Sequence, residues 1–246
     1  MLERWTAPTT EWEARVELAA AYRYAYELGW HDLGATHFSA RVPGEPNAYL
    51  ILAEGLFFNE VTASNLVKLG VDGSSPQDGV SVNPAGVTIH ASLLGGKPEI
   101  NSVMHTHTVA GVAVCNHRHG LLHISQHALR FYDDFGRHQY EGIALDDEEG
   151  PRLVEHLGDH ELLLLENHGL LTAGTTVPQA FSAMYYAEMA CQMQVATLSA
   201  TDNPVFVLKK QARFTKQQHD DSHGYMYRDW MAILRQVERT HPDYSS

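Results

Sequence analysis

Two histidines separated by one residue, His105 and His107 in NSVMHTHTVAG, stand at the end of an apolar run. If that run is a strand, its side chains alternate between faces, so the two imidazoles point the same way and can share one ion. A third ligand is offered by His168 in LLLLENHGLL, at the C-terminal end of another apolar run and followed by Gly169, where backbone can approach a site closely. Three neutral imidazoles with an open coordination position describe a catalytic rather than a structural metal centre. An HxH pair by itself is more often a hydrogen-bonded feature of a surface or core than a metal site, so the spacing alone does not establish a metal. Zinc, manganese, cobalt, nickel and iron all suit imidazole, and the sequence does not choose among them.

These side chains need elements to position them. TEWEARVELAAAYRYAYELGW opens with Thr10 and Glu13 in capping-box spacing, carries Val16, Ala19, Ala20 and Tyr24 on one face, and ends near Gly29, which predicts a first helix. YLILA and LVKLGVDG read as short strands, GVTIHASLLGG as a helix entered through Asn83 and Pro84, INSVMH as a strand and TVAGVAVCN as the helix after it. A polar, His-rich passage spans 116–150, and Pro151 is placed at the first position of a helix in PRLVEHLG, where a missing N–H is harmless. ELLLLENHGLLTAG reads as a buried strand breaking into a turn. TVPQAFSAMYYAEMACQMQVATLSA is the longest helix, apolar on most faces and therefore in need of cover from other elements or another subunit. The tail predicts one more amphipathic helix. With no linker, repeat or low-complexity segment, the expectation is one domain over 1–246, with a core at about 10–210 and a helical tail at 211–246.

Composition narrows the function classes. The 246 residues hold 17 Lys plus Arg against 30 Asp plus Glu, and the net charge of −13 would repel phosphate backbones and anionic lipid, which argues against nucleic-acid and membrane partners. The opening MLERWTAPTTEWEARVE has no apolar core for a signal peptide, so the expected location is the cytoplasm. Only Cys115 and Cys191 are present, and both read as buried free thiols. The 16 histidines are the unusual feature, because imidazole suits metal ligation and proton transfer near neutral pH.

Several segments in order, THFSARV, LFFNEVTASNLVKLGVDG, VNPAGVTIHASLL, HTHTVAGVAV and ENHGLLTAG, resemble the class II aldolase/adducin head-domain family over roughly 10–210. The resemblance implies a three-layer α/β/α sandwich around a mostly antiparallel sheet, commonly assembled as a ring tetramer with active sites between subunits. In the family's sugar-phosphate aldolases and epimerases a divalent metal held by the HxH histidines and the histidine of the HG turn stabilises an enediolate. Carried over, the ligands are His105, His107 and His168, all present.

The departures bear on substrate. Where the aldolases have a catalytic glutamate and the epimerases an aspartate, this chain has Gly86, four residues before His90. The two preceding serines, which hold substrate phosphate in the aldolases, are Pro84 and Ala85; the asparagine of the upstream phosphate loop corresponds to His37; and Glu54 occupies a hydroxyl position beside Gly55. An acidic side chain there repels a phosphate dianion. VNPAGVTIH and NEVTASNLVK are more similar to the adducin branch, whose bacterial members resemble metal-dependent decarboxylases and retro-aldolases. The expectation is a metal-dependent carbon-carbon lyase, decarboxylase or aldolase, acting on a small unphosphorylated hydroxy- or oxo-carboxylate, with zinc, manganese or Fe(II) as cofactor. His90 and His37 stand as catalytic candidates, Glu54, Gly55 and Gly86 as substrate-binding positions, and Glu166 and Asn167 as supports of His168. His123, His127, Asp133, Asp134 and His138 lie where family members vary, and Tyr140, Tyr225, Tyr227 and Tyr244 are undecided. Two other functions compete: a mononuclear Fe(II) and dioxygen-dependent oxygenase on the same three histidines, and a non-enzymatic adducin-like assembly module.

Overall fold

Thr10 starts the first helix as its spacing requires: its hydroxyl accepts the Glu13 N–H at 3.2 Å, and the Glu13 carboxylate accepts the Thr10 N–H at 3.1 Å. In the computed structural model, which describes residues 4–74, 79, 81–145, 148–222 and 224–246, that helix is α1 (Glu11–Glu27). It is followed by β1 (His37–Val42), β2 (Glu45–Ile51), β3 (Val67–Gly70), α2 (Pro84–Gly96), β4 (Ser102–Thr106), α3 (Val109–Cys115) and β5 (Gly136–His138). The chain continues through α4 (Glu149–Leu157), β6 (Leu162–Leu165), β7 (Gly169–Gly174), α5 (Val177–Ala200), α6 (Lys209–Asp221) and α7 (Gly224–Thr240).

The strands form one sheet in the order β3-β2-β1-β4-β7-β6-β5, antiparallel throughout except for the β5–β6 pair. Strand alternation divides the core between its two faces. Phe38, Met104, Leu162 and Leu164 pack with α1, α3, α5 and α7, whereas Val103, Leu163, Leu165 and Leu171 pack with α2 and α4. A mixed α/β sandwich results. Each fully buried Leu or Phe contributes about 1.5–3 kcal/mol. The Tyr22 hydroxyl donates to the Phe38 carbonyl at 2.5 Å and accepts the Phe38 and Leu52 N–H groups at 2.7 and 3.2 Å. One side chain of α1 thereby fixes the start of β1, where His37 lies.

Five local expectations change. α1 is buried on nearly all sides from Ala14 to Ala25, not on one face, because α5 and α7 cover what the sheet leaves. ELLLLENHGLLTAG is a hairpin of two strands rather than one. Pro151 is the third helical residue of α4, since Glu149 and Gly150 already belong to the helix; the third N–H has no intrahelical partner either, so proline is tolerated there. The polar passage supplies β5, too short for alternation to reveal, and the tail holds two helices, α6 and α7. Among the described residues no helix is long and apolar enough to cross a membrane.

Glu17 on α1 is buried and accepts the Trp5 indole N–H at 2.6 Å, and burial pushes its carboxyl up to about 7. A carboxyl raised in the folded state stabilises fully below its unfolded value near 4.5, and this stabilisation is lost as pH rises through about 7. In denaturant unfolding the stability of the wild type relative to Glu17→Gln should therefore fall by up to about 3 kcal/mol between pH 5 and pH 8, and a difference that stays constant with pH would contradict this account.

Candidate metal centre

β4 and the turn between β6 and β7 bring the three histidines together. His105 Nε2 lies 2.7 Å from His107 Nε2 and 3.1 Å from His168 Nε2, and this is the one group of three or more potential metal-ligating side chains among the described residues. His105 pairs across the sheet with His37 on one side and Leu171 on the other. His168 stands in the turn just after β6, rather than at the end of the strand itself. That turn is shaped by Asn167, whose φ of 56° is left-handed and whose N–H is accepted by the Asn116 side chain at 2.7 Å. Gly169 then lets the chain pass close to the end of β4, where a Cβ would collide with the Thr106 carbonyl oxygen.

Hydrogen bonds on the far side of two rings decide where their lone pairs point. His105 Nδ1 donates to the Leu170 carbonyl at 2.9 Å, and His107 Nδ1 donates to the Asp32 carboxylate at 3.1 Å. A neutral imidazole that carries its proton on Nδ1 has only a lone pair on Nε2. Two such lone pairs face each other across 2.7 Å with no proton between them. Burial, reinforced by the neighbouring imidazoles, holds His105 well below the ordinary histidine range and His168 down to about 4. Protonation of His105 or His168 therefore does not relieve the crowding near neutral pH, and a bound cation does. The donor set thus fits a divalent metal held by three neutral Nε2 atoms.

Behind this cluster lies a second buried set. His37 Nδ1 and His90 Nε2 are 2.8 Å apart, His90 Nδ1 is hydrogen-bonded to the Ser39 hydroxyl, and all three residues are buried. Burial lowers His37 well below the ordinary value and His90 to about 3, so both rings are neutral at physiological pH. Gly86 abuts His37: a Cβ there would lie 2.9 Å from His37 Cδ2. The His37 imidazole fills the space that a side chain at position 86 would need. His37 also lines a small cleft with Gly34, Thr36, Glu54, Gly55 and Asn83. Glu54 is exposed and its carboxylate accepts the Ser81 hydroxyl; Gly55 turns the chain with a φ of 89°.

The remaining candidates spread more widely. The Glu166 carboxylate pairs with Arg137 at 2.7 Å. His138 is held between His156 at 2.8 Å and Glu149 at 3.1 Å, and Asp134 between His160 at 2.6 Å and Lys216 at 2.7 Å. His123 meets Tyr132 and Phe206, and His127 meets Tyr186. Asp133 takes a left-handed φ of 51°, while Tyr140 and Tyr225 are exposed. Tyr227 stacks on Trp5, and the Tyr244 carbonyl accepts the Ala63 N–H. Cys115 and Cys191 are buried free thiols. Two contributors escaped the sequence reading. Asp32 lies 75 residues from His107, in a loop with no motif, and Glu188 lies within an apolar helix; neither separation carries a local signal.

Residues 16–195 match the family model described as Class II Aldolase and Adducin N-terminal domain, so the chain belongs to the class II aldolase/adducin family. A protein of Caulobacter vibrioides, described provisionally as a class 2 aldolase, is 40% identical over 238 residues, covering 96% of this chain and 93% of its own length. The crystal structure of an aldolase II superfamily protein from Pseudomonas syringae superposes with a TM-score of 0.92 at 43% identity, covering 98% of each chain. Mouse alpha-adducin is 39% identical over 194 residues, which are 77% of this chain and 26% of the adducin.

Packing of His37 against Gly86 makes a paired prediction. Gly86→Ala should destabilise by about 1–3 kcal/mol through the forced overlap, and His37→Asn in the same chain should recover much of it. A double-mutant cycle by denaturant unfolding reads this directly, and strictly additive effects would contradict the packing account.

Proposed function

We propose that this protein is a metal-dependent carbon-carbon lyase, a decarboxylase or aldolase, acting on a small unphosphorylated hydroxy- or oxo-carboxylate. The observation that carries the reading is the convergence of three Nε2 lone pairs, that of buried His105 and those of half-buried His107 and His168, two of them directed by Nδ1 donation to Leu170 and Asp32. A divalent cation held by His105, His107 and His168 would supply a Lewis acid to which a substrate carboxylate and its neighbouring oxygen can chelate while negative charge develops at the cleaved bond.

The chain's own groups fit the rest. The Ser39–His90–His37 row is hydrogen-bonded end to end, so His90 would fix the tautomer and orientation of the His37 ring, whose Nε2 would accept a proton from the substrate and return it within the same cycle. His37 then does the acid/base work for which Gly86 has no side chain. Glu54 supports an unphosphorylated substrate, because its carboxylate lines the same cleft as His37 and opposes a dianion. Asn83 and the backbone at Gly55 offer that cleft neutral hydrogen-bonding partners. Glu166 and Asn167 serve His168 through the turn backbone, with the Glu166 N–H donating to the His138 carbonyl at 2.9 Å.

We also propose a homo-oligomer, a tetramer, in which a neighbouring subunit completes the rim. This draws support from the exposure of Val109, directly after the ligand segment, at 88%, and of Leu33, beside Asp32, at 68%. The identity to alpha-adducin favours a second reading, a non-enzymatic assembly module, in which the three histidines hold no metal.

A panel of hydroxyaryl carboxylates and 2-oxo-4-hydroxy acids, assayed with zinc, manganese or Fe(II), tests the proposal. Metal-dependent release of CO2 or an aldehyde is expected, abolished in His168→Ala and lowered about 100-fold or more in His90→Asn with metal content unchanged. Substrate-linked oxygen uptake with Fe(II) would transfer the site to oxygenase chemistry. Absence of turnover across the panel at saturating metal would overturn the lyase reading.

A further inference from the structure

α5 is apolar around its middle, with Met184, Ala187, Ala190 and Cys191 all buried, yet Glu188 sits among them fully buried. A carboxylate in such a place costs free energy unless its oxygens are satisfied. They are satisfied by two hydroxyls. The Thr106 hydroxyl donates to Glu188 Oε1 at 2.6 Å, and the Thr108 hydroxyl donates to Glu188 Oε2 at 2.6 Å. These two threonines are the immediate neighbours of His107. In an extended chain Thr106 and Thr108 project to the face opposite His105 and His107, so the two sets alternate: histidines to the metal centre, threonines to α5.

Proton accounting makes the arrangement specific. The Thr108 hydroxyl also accepts the Gly111 N–H at 3.0 Å, as the N-cap of α3, and gives its single proton to Glu188. The Thr106 hydroxyl spends its proton on the other carboxylate oxygen. Both donors of HTHT thus meet both acceptors of one side chain, which no amide or alkyl group of the same size reproduces. From the opposite side Asp32 accepts from the His107 ring. His107 is therefore held at its backbone on both flanks and at its ring.

Resting on the metal-centre reading above, we propose that Glu188 is a positioning residue of that centre: by gripping Thr106 and Thr108 it fixes the backbone on either side of His107 and with it the direction in which His107 Nε2 meets His105 and His168. Glu188 touches no ligand ring in this role and acts only through the two hydroxyls. Glu188→Gln keeps the shape but offers one acceptor where two are needed, and Glu188→Leu offers none. Replacing Thr106 and Thr108 together by Ser keeps both hydroxyls and should preserve the centre.

The probe is Co(II), with three readouts on each full-length variant: the visible d–d spectrum, affinity by chelator competition, and, in metal-free protein, the imidazole ring resonances of His107 by NMR. Thr172→Val is the structural control, because the Thr172 hydroxyl ties β7 to the Ala180 carbonyl of α5 at 3.0 Å without touching the HTHT segment. Glu188→Leu should weaken Co(II) binding roughly 10- to 100-fold, alter the spectrum and shift or split the His107 resonances. Glu188→Gln should fall between it and the wild type, and the double Ser variant should match the wild type. Thr172→Val should lower thermal stability and leave spectrum and resonances unchanged. Wild-type spectra, affinity and His107 resonances in Glu188→Gln and Glu188→Leu would overturn the proposal; if Glu188→Leu does not fold, Glu188→Gln decides. A wild type that takes up no Co(II) would refute the metal reading instead, and the His107 resonances of the metal-free proteins would then decide the role of Glu188 alone.

Discussion

Everything about this site depends on two Nε2 lone pairs being held face to face in a buried place. Left to itself, an imidazole relieves such a contact by rotating, changing tautomer or taking a proton. Here these routes are narrowed. The Leu170 carbonyl and the Asp32 carboxylate hold the protons on Nδ1, burial disfavours a charged ring at His105 and His168, and the hairpin turn prevents retreat of His168. A cation satisfies all three lone pairs at once, which is why the geometry supports a metal centre more strongly than an HxH spacing can.

The fold is arranged to maintain that constraint. β4 is a central strand, flanked by β1 and β7, so its end is held from both sides. β1 delivers His37 opposite His105, β7 delivers the Leu170 carbonyl, and the turn before β7 delivers His168. α2 brings His90 and Gly86 to the same face, where His37 occupies the volume that Gly86 leaves. On the other face α5 places a carboxylate under the threonines. The two faces of one strand therefore carry different groups, the histidine cluster on one and the Glu188–threonine contacts on the other.

How much of this was legible in the sequence follows from the range of each signal. The capping box at Thr10 and Glu13, the Asn83 and Pro84 entry to α2 and the apolar runs of β4 and β6 are local, and the elements they predict are present. The three candidate ligands were legible because strand alternation placed two of them on one face, and the end of a second apolar run, followed by Gly169, pointed to the third. β5 was not legible, because three residues cannot display a period and its partner is β6, some 25 residues away in sequence. Asp32 and Glu188 were not legible because their partners lie 75 to 82 residues distant and their roles consist wholly of those contacts. The relation between His37 and Gly86 was half legible: both departures could be read, and only the structure shows that one side chain fills the space of the other.

The account is tested most directly by the metal content per chain of protein purified without air, measured by elemental mass spectrometry beside the His105→Ala variant. It predicts one divalent ion per chain in the wild type and near zero in the variant. Protein that stays metal-free in both forms after reconstitution with zinc, manganese and Fe(II) would contradict it.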